Sequence, residues 1–474
     1  MLKELFKGSA IYGIAPFVPK LITVLLMPIM TKYLTSTDYG IIGTITSIIF
    51  VVQALQDLGL KVLLPNYFYK CPGHYKVIWR EVYGFLSLWM IVFALIQSTL
   101  LYFFIPQEAE SNKWLIIILS NFSTVFFGPT AILGQMYYQL SVKPTPVACR
   151  IVLSGVTTIL VNFLCVVVFK WGYMGAYVGS FAGTFLSNLT YWPVLNRKLG
   201  LSPIYNFKFK TIRRLLKVSM PTIPHYYTSY LMNSTNVVAM NYHGKTQAEI
   251  GHLTMAQSMS GILETAITAV NQVFSPMSYR FMKDNDSSEM KRMTYVYILI
   301  AYTITFLFSL WAREVYDILI SNEEIASTYK YAVVLAMAFN YRPLYIYCCN
   351  YFFYHERTTS LLGISFTAGL ISCVFYFVMI PYMGIWAALW GFYLGCLYYG
   401  YIGYSFKFYK QKSIFHIKWY WFLLLQLFLT SVAFVSVDFS IIIKIFISIV
   451  YIAIGLVLMI KINHFKLNFI LINR

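Results

Sequence analysis

The chain has 474 residues, 59% of them hydrophobic and 11% charged, with a formal charge of +19. Soluble domains carry about 25% charged residues, so this composition excludes a soluble globular protein and points to a chain that crosses a membrane many times. In a soluble protein the positive balance would suggest nucleic acid; here it has a simpler source, because cytoplasmic loops of membrane proteins accumulate Lys and Arg.

The N-terminus, Met1 to Lys7, is basic and then apolar, with no small-x-small cleavage site, and reads as a retained first helix. Apolar runs of about 20 residues, enough to cross about 30 Å of hydrocarbon, then recur along the chain. They predict helices over 10–33, 40–63, 82–105, 114–138, 147–169, 173–195, 218–240, 250–274, 294–319, 329–353, 359–380, 383–405, 419–437 and 440–461, fourteen spans in all. The turn of the last hairpin, Asp438-Phe439-Ser440, is very short.

The first span holds Pro16-Phe17-Val18-Pro19-Lys20, two prolines and then a lysine inside an apolar run. Proline removes a helical hydrogen bond and clashes with the preceding turn, so Pro16 and Pro19 are expected to act as a hinge. A lysine at that depth costs roughly 3 kcal/mol on insertion scales and needs a cavity or a partner. The same arrangement returns as Pro221-Thr222-Ile223-Pro224-His225, which makes Pro221 and Pro224 a second expected hinge and His225 a second base.

With the N-terminus in the cytoplasm, 27 of the 36 Lys and Arg fall in inside loops and 7 in outside loops, leaving Lys20 and Arg342 within spans. So steep a bias supports the fourteen-span count and places both termini in the cytoplasm. The longest inside loop, Asn196 to Lys217, divides the chain into halves that echo each other. Asp38-Tyr39-Gly40-Ile41 is matched by Glu249-Ile250-Gly251-His252, Tyr137-Tyr138 ahead of Lys143 by Phe352-Phe353 ahead of Arg357, and Tyr173-Met174-Gly175 by Tyr382-Met383-Gly384. The expected fold is an all-α polytopic membrane protein with a six-helix lobe used twice as a parallel repeat. Its parts are an N-terminal lobe over 1–196, a basic linker over 197–217, a second lobe over 218–406, and an appended helical hairpin and tail over 407–474.

No P-loop, HExxH, Cys/His cluster or Ser-His-Asp set is present, so the chain is not expected to be an enzyme or to hold a metal or cofactor. The seven cysteines lie mostly in or beside apolar runs and read as small buried hydrophobes without a disulfide framework. What remains is a short list of ionisable residues at membrane depth, which are functional candidates by default. Lys20, His225 and Arg342 supply three bases and Glu264 one acid. A positive cavity between two bundles suits an anion such as a diphosphate or an acidic sugar. Glu264 could pair with Arg342 or carry a proton, and the sequence leaves both open. Each base also has a bland reading: Lys20 snorkelling or paired, His225 a satisfied core histidine, Arg342 a structural salt bridge. Asp57 and Lys61, four apart near the inner end of the second span, read as an ordinary helical ion pair.

Aromatic residues make up 19% of the chain. Tyr226, Tyr227 and Tyr230 follow His225, while Tyr341, Tyr345, Tyr347 and Tyr351 surround Arg342. A tyrosine offers a flat face and a hydroxyl, which suits sugar rings, and Tyr230 and Tyr345 are the ones expected to serve substrate. The rest read as interfacial belt and packing. The basic run 196–217 reads as topogenic, with an attraction for anionic lipid headgroups as a compatible second role.

These residues carry a resemblance. Lys7-Gly8-Ser9-Ala10-Ile11-Tyr12, then Pro28-Ile29-Met30-Thr31-Lys32-Tyr33-Leu34, Asp38-Tyr39-Gly40 and Asp57-Leu58-Gly59-Leu60 resemble the opening of the Wzx-type polysaccharide-repeat-unit flippases, which belong to the MATE-like multidrug/oligosaccharidyl-lipid/polysaccharide superfamily. In layout the resemblance covers Met1 to about Phe406. It implies two six-helix lobes in a V around a central cavity, and alternating access. The cargo it implies is an undecaprenyl-diphosphate-linked oligosaccharide, moved from the inner to the outer leaflet of a bacterial cytoplasmic membrane for O-antigen or capsule. It also implies coupling to a proton or sodium gradient. The two extra helices depart from the twelve of many sugar-repeat flippases and occur in the peptidoglycan lipid-precursor flippase, but the dense arginines of that group's first helices are missing here. A MATE-type drug antiporter is the other reading within the fold, and its cationic cargo would want acids. A membrane glycosyltransferase would need a large outside loop, and 313–330 is too short. The expected partners are therefore the lipid-linked oligosaccharide and membrane lipids, with polysaccharide polymerase machinery a further candidate and no nucleic acid.

Overall fold

A computed structural model describes residues 17–62, 64–70, 73–141, 143–220, 223–355, 357–413 and 416–472, and every regular element among them is helical. The chain divides into two compact units: one holds the described residues up to Tyr230 with Gly244–Gly251, and the other holds Leu231–His243 with the residues from His252 onward.

The first unit contains α1 (Phe17–Tyr33), α2 (Ser36–Gln53), α3 (Leu64–Lys70), α4 (Tyr75–Phe104), α5 (Lys113–Leu140), α6 (Pro144–Asn162), α7 (Tyr173–Pro193) and α8 (Phe209–Ser219), and most of α9 (Ile223–Asn233). Helix α7 packs along α6 and α5, and α5 along α4. Small residues allow the α6–α7 approach: a Cβ at Gly183 would run into Thr158 and Ser154, and one at Gly179 into Asn162. At one end of the unit Trp79, Val82, Leu86, Leu133, Leu195 and Ile212 form a buried core on which α8 is seated.

The second unit contains α10 (Thr235–Tyr242), nearly all of α11 (Gln247–Lys283), α12 (Ser287–Leu310), α13 (Ala312–Leu319), α14 (Glu323–Ala326), α15 (Tyr329–Ala338), α16 (Arg342–Tyr354), α17 (Thr358–Met383), α18 (Ile385–Tyr401), α19 (Lys407–Lys412), α20 (Trp419–Ser436) and α21 (Ile441–Ile472). The last hairpin is built into this unit, with α21 lying on α12 and α20 on α12 and α15. Its polar groups fix it there. The buried Gln426 donates to the Met337 carbonyl at 3.3 Å and accepts from the Tyr401 hydroxyl at 2.8 Å, and Tyr393 and Thr430 are hydrogen-bonded at 2.8 Å.

Eight of the described helical segments are long and apolar enough to span a bilayer. They coincide with eight of the fourteen expected spans. The described residues of the other six form α1, α2, α7, α9 with α10, α11 and α18, and residues 10–16 of the first expected span lie outside the described residues. The span expected over 218–240 is interrupted at Ser234, inside the polar run Asn233-Ser234-Thr235-Asn236. The Asn233 carbonyl freed by this break accepts the Gln257 side-chain amide at 3.0 Å.

Two readings of the sequence need correction. Asp57 and Lys61 are paired at 3.0 Å, but no α-helix carries them. Leu58 and Gly59 have φ of 49° and 71°, and Asp57 accepts the Gly59 amide at 2.9 Å, so the acid first shapes a turn. The glycine matched across the halves is also shifted. Gly172, before α7, has φ 55° and ψ −136°, and Gly384, before α18, has φ 57° and ψ −134°. That conformation suits glycine, so Gly172, not Gly175, is the counterpart of Gly384.

Candidate functional site

Arg342 lies where the most deeply buried of the eight apolar segments, Tyr329–Tyr354, is interrupted. A tight turn, Phe339–Tyr341, separates α15 from α16, and Pro343 stands in the first turn of α16, where a missing N–H costs nothing. The guanidinium is thereby placed against α11. One terminal nitrogen of Arg342 donates to Glu264, and the other to the Thr268 hydroxyl at 3.0 Å. Thr268 in turn donates to the Glu264 carbonyl at 2.7 Å. The Arg342 guanidinium lies over two aromatic rings, 5.5 Å from the centre of Phe339 and 5.9 Å from that of Tyr341, which favours a cation. Its Nε is buried with no hydrogen-bond partner among the described residues. The Glu264 side chain remains 42% exposed, so this pair is reachable. Of the two roles left open for Glu264, pairing with Arg342 is the one seen here.

Tyr345, one turn on, stacks on Tyr399 with ring centres 3.9 Å apart, and their hydroxyls are hydrogen-bonded. Eight residues beyond Arg342, Asn350 donates to Ser275 at 3.1 Å and Ser278 at 2.9 Å, and Ser275 donates to Asn271 at 2.8 Å. Along α11, Glu264, Thr268, Asn271, Ser275 and Ser278 are spaced four and three apart, a polar stripe on one face that α16 reads at two levels. Sequence reasoning named Arg342, Glu264 and Tyr345, and did not name their neighbours Thr268, Asn350, Ser275 and Tyr399. Heptad-like spacing of Ser, Thr and Asn through 264–278 was the available signal.

In the first unit, Lys20 is exposed on α1 and Pro19 is packed against Gly155, where an added Cβ would meet the proline ring. Pro28 lies inside α1. Tyr230 packs on Phe50 and Tyr227, with ring centres 6.1 and 6.3 Å away. Pro224 is exposed near the start of α9. Pro16, Pro221 and the His225 side chain lie outside the described residues.

The matched Asp38 and Glu249 motifs also take on a physical meaning. Thr35 and Asp38 cap α2 reciprocally: the Thr35 amide donates to Asp38 at 2.8 Å and the Asp38 amide donates to Thr35 at 3.2 Å. Thr246 and Glu249 do the same for α11, at 3.0 and 3.2 Å. Within the first unit these two capped ends cross backbone to backbone. A Cβ on Gly40 would strike the Gln247 carbonyl, and one on Gly251 the Ser36 carbonyl.

Eight apolar helical segments long enough to cross a bilayer define a multi-pass membrane protein, and an arginine–glutamate pair at a helix break and a polar stripe mark its candidate site. The model of the polysaccharide biosynthesis protein family matches residues 5–282, more than half of the sequence, and the chain belongs to that family. Protein 1 of the Lsg locus of Haemophilus influenzae is 22% identical over 408 residues, covering 81% of this chain and 96% of that protein. An uncharacterized membrane protein of the same organism is 21% identical over 401 residues, covering 81% and 95%. Among solved structures, the lipid II flippase MurJ in an inward closed conformation superposes with a TM-score of 0.71 at 14% identity, covering 97% of this chain and 99% of that one. An inward-facing MATE multidrug resistance transporter of the MOP superfamily gives 0.61 at 12% identity, covering 89% and 96%. The fold is therefore the one these two structures share.

Proposed function

We propose that the chain is a flippase that carries undecaprenyl-diphosphate-linked oligosaccharide repeat units from the cytoplasmic to the outer leaflet of a bacterial inner membrane, for O-antigen or capsular polysaccharide, by alternating access. The observation that carries this reading is Arg342, a partly buried guanidinium with one acid partner, one hydroxyl partner and a buried Nε still to be satisfied. A diphosphate matches that fork of donors. In this reading Glu264 holds Arg342 while the site is empty, and a proton or sodium ion taken up by Glu264 releases the guanidinium to the cargo. Lys20 and His225 supply further positive charge. Tyr230 and Tyr345 offer ring faces to sugars, and Pro16, Pro19, Pro221 and Pro224 act as hinges. The cytoplasmic termini and contact with polysaccharide polymerase machinery belong to the same reading.

A second reading, a peptidoglycan lipid-precursor flippase, is favoured by the near-complete overlap with the MurJ fold. A MATE-type antiporter of cationic drugs fits the fold as well, but a site led by bases opposes that cargo. Complementation separates the three. A strain lacking its repeat-unit flippase, supplied with this chain, is expected to regain surface polysaccharide. Restored growth of a strain lacking its lipid II flippase, with no polysaccharide, would move the reading to peptidoglycan. Drug resistance alone would move it to efflux.

A further inference from the structure

Helix α8 is a strongly amphipathic element that spans no bilayer, and the proposed function does not use it. It seats Ile212, Leu215 and Ser219 in the core of the first unit, where Ile212 and Leu215 join Trp79, Leu201 and their neighbours. At 3.6 residues per turn, Lys210, Arg213, Arg214 and Lys217 then fall together on the opposite face. All four are exposed, as is Lys208 just before the helix, and α8 holds no acidic residue. The flanks are apolar and also uncovered: Phe209 is 69% exposed, Met220 48% and Val218 57%.

We propose that α8 lies in the plane of the membrane surface and binds the headgroups of anionic phospholipids. Setting the orientation of the chain requires only that cations lie in the loop; it requires no formed helix, no single cationic face and no exposed phenylalanine beside it. An interfacial helix requires all three. Its Phe209/Met220 flank enters the acyl boundary, and its long Lys and Arg side chains reach back to phosphate. An acidic soluble protein would satisfy the cations, but it would leave Phe209 and Met220 in water or need a matching apolar seat. Lipid supplies the charge and the apolar layer together. The inference is independent of which cargo the chain moves.

The test uses the full chain reconstituted in nanodiscs of phosphatidylcholine with a minor fraction of phosphatidylglycerol, and reads the phosphatidylglycerol retained by native mass spectrometry. The quadruple variant K210Q/R213Q/R214Q/K217Q is compared with K407Q/K410Q/K412Q/K418Q, which removes the same charge from another loop. The expected result is selective loss of phosphatidylglycerol in the first variant, about fivefold in affinity for each cation removed, while the second variant and added inorganic phosphate leave it bound. Equal loss in both variants, or no loss in the first, overturns the inference. So does displacement by inorganic phosphate, which would mark a soluble-anion site, or unchanged lipid retention with loss of a bound cytosolic protein. If the quadruple variant unfolds in phosphatidylcholine, Lys210→Gln and Lys217→Gln singly are expected to give the same loss in smaller steps, and full retention in both overturns the inference.

Discussion

Gly40 and Gly251 are a reciprocal pair: each gives up its Cβ position to a carbonyl of the helix that carries the other, and the Gly40 amide nitrogen lies 3.0 Å from where a Gly251 Cβ would stand. Both follow a reciprocal Thr–acid cap, and Thr44 donates to the Gln247 side chain at 3.1 Å alongside. The two helix ends therefore touch through main chain, and a side chain at either glycine has nowhere to go.

Gly40→Val is accordingly expected to force the crossing apart at a cost of about 1–3 kcal/mol. With natural cysteines replaced, a Thr44→Cys/Gln247→Cys pair should crosslink readily in the otherwise unchanged chain and poorly once Gly40→Val is added. Equal crosslinking yields would refute the contact.

The C-terminal hairpin hangs on an ion pair whose lysine is buried. The Lys444 side chain is fully buried, and its Nζ lies 2.6 and 2.8 Å from the two carboxylate oxygens of Glu314. Trp311, 6.0 Å from that nitrogen, also donates to Ser448 at 3.0 Å. Lys444→Ala leaves Glu314 unpaired and is expected to destabilise by about 3 kcal/mol, whereas Lys444→Met with Glu314→Leu should recover most of the loss. Thermal unfolding of the three proteins measures this, and a double variant no better than the single one would contradict it.

Acid should loosen the same hairpin at its tip. Burial pushes the Asp438 carboxyl up, but hydrogen bonds from Lys330 and Tyr329, both at 2.6 Å, and the charges of Lys330 and Arg313 outweigh it and hold the carboxyl below its ordinary value. A group depressed in the folded state stabilises fully above its unfolded pKa and loses that contribution as pH falls through the folded value. Asp438 and Lys330 are 40% and 35% exposed, so the contribution stays below about 1 kcal/mol. Asp438→Asn should lower the unfolding midpoint slightly at neutral pH and leave it unchanged, relative to the parent, once the pH has fallen below the depressed folded-state value. A difference that grows in acid would be the wrong sign.

How much of this could be read from the sequence depends on what each residue had to satisfy. Arg342 and Glu264 were legible as candidates, with pairing one of two open roles, because a charge inside an apolar run must find a partner or a cavity. Thr268 was not, since a helical threonine can satisfy itself on the carbonyl four residues back, as it does on Glu264. Gly40 and Gly251 were visible as a repeated position, but the reason for the glycine lies in a contact between segments two hundred residues apart. Lys444 reads as a loop cation in sequence; only the fold brings Glu314 over it. The break at Ser234 was written in four consecutive polar residues and was masked by the apolar run around them.

The most direct test of the account is binding of undecaprenyl diphosphate to the purified full chain in nanodiscs, with Arg342→Ala and Glu264→Gln beside the parent. A charge-assisted fork is worth about 1.5–3 kcal/mol per hydrogen bond, so Arg342→Ala is expected to bind about tenfold or more weakly. Glu264→Gln, which frees the guanidinium while leaving the side chain in place, should bind as well as the parent or better. If Arg342→Ala binds like the parent, or Glu264→Gln loses binding to the same degree, the pair is a structural brace and Arg342 is not where the diphosphate is held.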